Sequence, residues 1–190
     1  MASDPPCRAG PAQTRAAEVE AAIQRCAQRL PTLPVLEASI LRLLSLLGRD
    51  LSSVLEETLR PHGLNETDFR TLMMLFSQAD GVAHPSDLCT YVAQSPANMT
   101  RVADSLCERG LITRGSSEED RRRTILRTTP EGEALVHQLL PRIIELTSGL
   151  FRDLSLPARR QLLEQLRCLI GSTDRCAERG GEPPREDDTR

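Results

Sequence analysis

The sequence predicts a mainly α-helical protein: a winged helix-turn-helix with a small β-wing, flanked by N- and C-terminal dimerisation helices. Residues 84–132 follow the order helix, turn, helix and two short strands around an Arg-rich tip, which is the order of that DNA-binding module. Long Leu-rich helical patterns lie on both sides of this segment. These flanking helices carry more Leu and Ile than one subunit is expected to bury, which predicts a dimer.

The N-terminal part of the chain is predicted to serve dimerisation. Residues 1–11 are rich in Pro and Gly and are predicted to be disordered, and residues 12–60 are predicted to form two helices separated by the prolines of 31–34. The second helix carries an apolar stripe from Leu36 to Leu59 and would be roughly 40 Å long. Because one small winged module cannot cover that length, part of the stripe is expected to meet another subunit.

Residues 61–129 are predicted to form the DNA-binding region. Asn65 and Asp68 have the spacing of a capping box at the start of an apolar helix. Pro85 opens the first helix of the helix-turn-helix. The side chains expected to pack this helix onto the next one are Leu88, Tyr91 and Val92.

The second helix of the motif is the predicted recognition helix. Ser95 is an N-cap, Pro96 suits the first helical position, and Gly110 suits the position after the helix end. One face is an apolar stripe of Met99, Val102, Ala103 and Leu106. The other face is small and polar, so Asn98, Thr100 and Arg101 are expected to reach base edges. Ser95 and the helix N-terminus are expected to hold a phosphate.

The wing is predicted to be a basic hairpin. Residues 111–113 and 124–126 form its strands, and residues 115–117 turn the chain. Residues 109–127 hold six Arg against three acidic residues, a balance of +3, whereas the whole chain carries −3. A locally basic tip favours an anionic partner, here double-stranded DNA. The wing residues expected to bind DNA are Arg114, Arg121, Arg122 and Arg123, and Asp120 is expected to structure the wing by pairing with an arginine.

Residues 130–171 are predicted to form the C-terminal dimerisation helices. Pro141 is expected to kink or break the first of them, because proline lacks the N–H that an interior helical position donates. Gly171 is expected to stop the last helix, and residues 172–190 are predicted to be a disordered tail. A two-fold dimer would present two recognition helices about one DNA turn apart, so the operator is expected to be an imperfect palindrome.

Composition excludes several classes of function. The six cysteines form no CxxC or zinc spacing, and the three histidines have no ligand at i+3 or i+4, so neither a metal nor a cofactor is predicted. No nucleophile–base set or phosphate loop indicates an enzyme. No uncharged apolar stretch reaches the length of a membrane span, and the N-terminus lacks an apolar signal segment. The expected location is the reducing cytoplasm.

The wing resembles that of the MarR family of bacterial transcriptional regulators. The family pattern is Asp-x-Arg, five residues, then Leu-Thr-x-x-Gly, and this chain has Asp120, Arg122, Thr128 in place of the Leu, Thr129 and Gly132. The likeness covers about residues 35–170. Segments 63–69, 85–88 and 100–112 most resemble the multidrug-efflux repressor branch of that family.

The resemblance implies a homodimeric repressor of a drug or toxin efflux operon that small aromatic or phenolic effectors release from DNA. Such effectors would bind a cleft lined by helices 35–60, 64–79 and 130–150. Candidate ligand residues are Arg49, Phe69, Met73, Met74 and Phe76. The alternative is that the Met and Phe side chains form ordinary core and that Arg49 pairs with an acid on its own helix.

Two other functions stay open at this point. Some family members sense peroxide through a cysteine, and Cys26, between Arg25 and Arg29, is the best-placed candidate here. Alternatively, a winged helix can bind protein instead of DNA, because a fold does not fix a function. The residues do not decide whether DNA binding represses or activates transcription.

Overall fold

The computed structural model describes residues 10–116 and 123–180, with side chains described as far as residue 175. The order of elements is α1 (Pro11–Arg29), α2 (Val35–Leu59), a 3₁₀ turn (Arg60–His62), α3 (Glu66–Ser77), β1 (Val82–Ala83), α4 (Pro85–Val92), α5 (Pro96–Glu108), β2 (Ile112–Ser116), β3 (Thr124–Thr128), α6 (Pro130–Leu150) and α7 (Leu156–Gly180). This order confirms the predicted fold class. The chain divides into two compact units after Leu139.

The wing belongs to a three-stranded antiparallel sheet of order β1-β3-β2. Strands β2 and β3 pair from Ile112 opposite Thr128 to Ser116 opposite Thr124. The predicted turn at residues 115–117 is therefore wrong at its first two positions, which lie within β2. Strand β1 was not predicted, because its two residues are too short to show any periodicity.

The hydrophobic core of the first unit lies between helices α3, α4 and α5, strand β3 and the start of α6. The most completely buried side chains include Leu59, Leu72, Leu75, Leu88, Met99, Leu106, Ile112, Leu126, Val136 and Leu139. The apolar stripe predicted for the recognition helix is buried throughout. The expected packing of Tyr91 is wrong, because its side chain is 63% exposed while its neighbours Leu88 and Val92 are buried.

The capping box at the start of α3 forms as predicted. Gly63 adopts a left-handed conformation with φ of 64°, and the chain then enters α3 through Asn65. The Asn65 side chain accepts from the backbone N–H of Asp68 at 2.9 Å, and the Asp68 carboxylate accepts from the backbone N–H of Asn65 at 3.1 Å. This reciprocal capping box satisfies two N–H groups that a helix start leaves unpaired.

Helices α6 and α7 both continue past the residues predicted to interrupt them. Pro141 lies inside α6, so a break there is wrong. Gly171 lies inside α7, which extends to Gly180, so residues 172–180 are helical and not a disordered tail. An interior glycine costs a helix only about 1 kcal/mol. Nearby, Ser172 donates its hydroxyl to the Cys168 carbonyl at 2.9 Å. No helix among the described residues is long and apolar enough to cross a membrane.

Candidate nucleic-acid interface

Both ends of α5 are defined by local hydrogen bonds. Ser95 Oγ accepts from the backbone N–H of Asn98 at 3.3 Å, and Pro96 occupies the first helical position. At the other end Gly110, with φ of 69°, donates to the Cys107 carbonyl, and the N–H of Leu111 donates to the Leu106 carbonyl. This pair of bonds is a Schellman motif, which satisfies carbonyl groups that the helix end leaves free. The predicted N-cap and C′ residues are confirmed.

The two faces of α5 differ in burial and polarity. The apolar stripe faces the core, whereas the opposite stripe of Ala97, Thr100, Arg101 and Asp104 is exposed along its length. Thr100 donates its hydroxyl to the Pro96 carbonyl at 3.0 Å, so its oxygen can still accept a bond from a ligand. Among the described residues no carboxylate lies within salt-bridge distance of Arg101. The first turn holds no acidic residue, so the helix N-terminus and Arg101 together favour an anion.

Asn98 is the one predicted base-reading residue that is half-buried. Its Nδ2 donates to Oε1 of Gln94, four residues earlier in the chain, at 2.5 Å. Gln94 lies directly before the N-cap in the turn between α4 and α5, where Ala93 adopts a left-handed conformation with φ of 53°. The structure therefore gives Asn98 a fixed neighbour within the protein.

The wing is attached to the recognition helix by Arg114. Its guanidinium lies 2.8 Å from the Asp104 carboxylate and donates to the Thr100 carbonyl at 3.4 Å. Burial raises the pKa of the nearby Cys107 thiol, the Arg114 charge lowers it and the Asp104 charge raises it. The thiol is therefore protonated at neutral pH. Because Arg114 is already paired, its first role in this structure is to hold strand β2 against α5.

Two further contacts hold the module together around α5. Nδ1 of His84, at the start of α4, lies 3.0 Å from the Thr124 carbonyl at the start of β3. Arg109, at the end of α5, donates to the carbonyls of His62 and Gly63, each at 2.7 Å. Both contacts join residues at least 40 positions apart in the chain. They fix where the recognition helix and the wing base lie within the module.

The tip of the predicted wing is only partly described. Arg123 is exposed at the start of β3. Asp120, Arg121 and Arg122 lie outside the described residues, so their predicted roles remain predictions. The described part of the candidate interface thus consists of the α5 stripe, its N-terminus, Arg114 and Arg123.

The predicted effector residues differ in burial. Phe69 is buried, and Met73, Met74 and Phe76 are half-buried. The Phe76 ring meets the His137 ring edge-on, with centroids 5.1 Å apart. Arg49 is exposed and lies 3.6 Å from Asp50 on its own helix, which is the alternative pairing considered from the sequence.

An apolar cleft of about 440 Å³ lies between α1 and α2. It is lined by Ala12, Gln13, Ala16, Ile40, Leu43, Leu44, Leu46, Leu47 and Asp50. Asp50 closes one end, where its carboxylate also pairs with Arg15 at 2.5 Å. The sequence did not reveal this cleft, because it depends on how the small side chains of α1 lie on α2.

The thiols and the possible metal ligands are described for part of the chain. Cys26, Cys89, Cys107 and Cys168 are free thiols, and Cys26 is exposed on α1. The described parts of the chain contain no group of three His, Cys, Asp or Glu side chains that could hold a metal ion.

Comparison with known proteins gives concordant matches. The MarR family profile matches residues 62–123. The transcriptional repressor MprA of Escherichia coli K12 is 31% identical over 162 residues, which are 85% of this chain and 92% of that protein. AbsC, a MarR family transcriptional regulator from Streptomyces coelicolor, has a similar structure with a TM-score of 0.68 and 25% identity over 75% of this chain and 97% of that one.

A crystal structure of a mutant MarR from E. coli, complexed with operator DNA, has a TM-score of 0.62 and 22% identity. That similarity covers 68% of this chain and 91% of the other. At this identity it shows a shared fold.

Proposed function

The chain belongs to the MarR family of transcriptional regulators, and from that premise we propose that it is a dimeric repressor that inserts α5 into the major groove of an operator. The family and the relatives of this chain are regulators and not enzymes. A location in the cytoplasm, with access to DNA, is part of this proposal.

One observation carries the DNA-binding assignment. The exposed stripe of α5 begins at an acid-free helix N-terminus and presents Arg101 with no described carboxylate partner. A guanidinium with no carboxylate partner among the described residues, beside small and hydroxyl side chains, suits base edges and phosphates. A docking site for another protein is typically richer in aromatic and apolar side chains, so the protein-interaction alternative has less support.

The homodimer is supported by apolar side chains that one subunit leaves exposed. They include Leu30, Leu36, Leu41 and Leu47 on the N-terminal side, and Ile144, Leu150, Leu163, Leu169 and Ile170 on the C-terminal side. A two-fold interface would cover the same surface on both copies. It would also place two copies of α5 on the half-sites of a palindromic operator.

The effector and the regulated genes are the finer parts of the proposal. Resemblance to the multidrug-efflux repressor branch supports control of an efflux operon and release by a small aromatic or phenolic compound. The candidate residues are the half-buried Met73, Met74 and Phe76, with Arg49 and Phe69, and the α1–α2 cleft is a second location of suitable size. Redox sensing through Cys26, a free and exposed thiol on α1, is the alternative that is not favoured.

The test is fluorescence anisotropy of the reduced protein on the DNA immediately upstream of its gene, with excess competitor DNA. Arg101→Ala is expected to weaken specific binding by about 1–3 kcal/mol and to relax specificity at one base pair. Arg70→Ala is the matched control, because Arg70 is an exposed arginine of the same unit that pairs with Glu66 on α3. It is expected to leave specific binding within twofold of wild type, about 0.5 kcal/mol, like most surface changes.

Titration of the wild-type complex with salicylate tests the effector proposal separately. Release of the DNA supports a phenolic effector. If salicylate does not dissociate the complex, the effector proposal is wrong, and the assignment as a DNA-binding regulator is unaffected. If Arg101→Ala binds its operator as tightly as wild type, the DNA-binding assignment of α5 is wrong.

A further inference from the structure

The hydrogen bond between Gln94 and Asn98 lies at the entrance of the recognition helix. Gln94 is the last residue of the turn before the N-cap, and Asn98 is the third residue of α5. Both side chains are half-buried, although Ser95, Pro96 and Ala97 between them are exposed. The Nδ2···Oε1 distance is 2.5 Å. The two amides therefore form a pair behind the exposed stripe.

The pairing leaves a defined set of hydrogen-bonding groups. An amide nitrogen carries two hydrogens, and Gln94 Oε1 accepts one of the two on Asn98 Nδ2. The second Nδ2 hydrogen and the Oδ1 lone pairs of Asn98 remain for another partner. The Ser95 hydroxyl caps the backbone N–H of Asn98, so the Asn98 side chain is not needed as a cap.

The pairing couples the orientation of the Asn98 amide to that of the Gln94 amide. Rotation of the Asn98 amide alone by half a turn would bring its Oδ1 against Gln94 Oε1, and two acceptors cannot share a hydrogen bond. In the arrangement of the structure, Gln94 Oε1 accepts from the nitrogen of Asn98, and the Asn98 oxygen is left for another partner. A donor and an acceptor on one amide match N7 and the N6 amino group of adenine, whereas O6 and N7 of guanine both require donors.

We infer that Gln94 is a positioning residue that makes Asn98 read adenine at one position of each operator half-site. This inference rests on the proposed function, because it presupposes that α5 enters the major groove. The inference adds a role for Gln94 to the proposed function. Gln94 itself contacts no base, but it determines which base Asn98 recognises.

The experiment compares wild type with Gln94→Met, which keeps the length of the side chain and removes the acceptor. In one set of DNA duplexes, each A·T pair of the mapped operator half-site is changed to G·C. In a second set, each adenine is replaced by 7-deazaadenine. Fluorescence anisotropy measures the affinity of each protein for each duplex. Wild type is expected to lose about five- to 150-fold at one adenine. In Gln94→Met that loss falls below about twofold at the same position, as it does in Asn98→Ala, and the double variant shows no further change.

Two further measurements separate positioning from a general loss of structure. Gln94→Glu keeps an acceptor oxygen, so it is expected to retain discrimination at that adenine while the added charge weakens binding to all DNA. Non-specific DNA affinity and thermal stability of Gln94→Met should match wild type. In free wild-type protein, NMR should show one Asn98 side-chain amide proton exchanging slowly with water, and Gln94→Met should lose that protection.

The outcomes distinguish this inference from the proposed function. A wild-type protein with no specific operator binding overturns both, whereas specific binding with no loss at any adenine overturns the inference alone. A specific wild-type protein whose profile survives in Gln94→Met overturns the inference alone. The inference is also overturned if Gln94→Met loses discrimination at a different base pair from Asn98→Ala. An Asn98 side-chain amide that is unprotected from exchange in the free wild-type protein overturns it as well.

Discussion

The winged module and the helical arms of this protein bury their side chains to very different extents. Here the module means residues 59–139, and the helical arms mean α1, α2 as far as Thr58, and α7. Among the described residues, the fully buried hydrophobic side chains all fall within the module. Helix α1 buries none of its residues, and α2 buries only Leu59, where the module begins.

The difference shows which part of the chain can hold its structure alone. The module encloses a hydrophobic core between its helices and its sheet. Long-range hydrogen bonds, such as the one from Arg109 to the Gly63 carbonyl, join segments of the module that are distant in sequence. The arms have equally periodic sequences, yet they expose Leu36 at 68% and Ile170 at 68%. Burying one such side chain contributes about 1.5–3 kcal/mol, so an assembly that covers both arms gains a large stabilisation.

The largest expected effect comes from charges placed on an arm. Leu163 and Ile170 lie two helical turns apart on α7 and are 48% and 68% exposed. Changing both to glutamate would bury four unpaired carboxylates in a two-fold interface, each at a cost of several kcal/mol. We expect the dimer dissociation constant to rise by at least about 100-fold, or about 3 kcal/mol, as measured by analytical ultracentrifugation. Operator affinity should fall with it.

The control for this change is Gln165→Glu on the same helix. Gln165 is exposed between the two apolar positions and already polar, so the added charge should leave the dimer intact. If the double variant also remains dimeric at micromolar concentration, α7 does not contribute to the interface and the role given to the arms fails.

Replacing one glycine in the module and one in an arm by alanine is expected to give the next largest difference, here in the free energy of unfolding. A Cβ atom added to Gly132 would overlap the Leu111 carbonyl oxygen and would lie 3.1 Å from Thr128 Cγ2. Gly132→Ala is therefore expected to cost about 3 kcal/mol in free energy of unfolding, as measured by urea titration. Gly171→Ala, in an arm with nothing within 4 Å of the added atom, should stabilise by about 0.5–1 kcal/mol. Equal effects at the two sites would show that the module is packed no more tightly than the arm.

Local signals made much of the module predictable. Ser95, Pro96 and Gly110 define the ends of α5 by short-range bonds that depend on residue type. The buried stripe of α5 followed from periodicity alone. These features could be read from the sequence because each is decided within one or two helical turns.

Contacts between distant segments could not be read in this way. The pairing of Arg114 with Asp104 requires β2 to return alongside α5, and the contact of His84 with Thr124 spans 40 residues. The sequence predicts that Arg114 binds DNA, which stays a prediction, but it does not reveal the ion pair with Asp104. Gly171 was predicted to end α7 because glycine often follows a helix end. The helix continues past it to Gly180, so the residue type alone does not decide where this helix ends.

The smallest expected effect concerns a thiol in the module. Burial raises the pKa of the Cys107 thiol, so the folded state holds this proton more tightly than the unfolded state. Its contribution to stability is complete below the pKa of an unfolded-state thiol, about 8.5, and is lost as pH rises through the folded-state pKa.

The chain has no lysine, so between pH 8 and 10.5 few side chains other than its six cysteines and one tyrosine titrate. Urea midpoints at pH 8 and pH 10 should therefore fall more in wild type than in Cys107→Ala. Cys26→Ala, which removes an exposed thiol of an arm, should keep the full wild-type decrease. A Cys107→Ala variant with an undiminished decrease would mean that the alkaline sensitivity arises from a group other than Cys107, and the half-buried Cys89 would be the next thiol to replace.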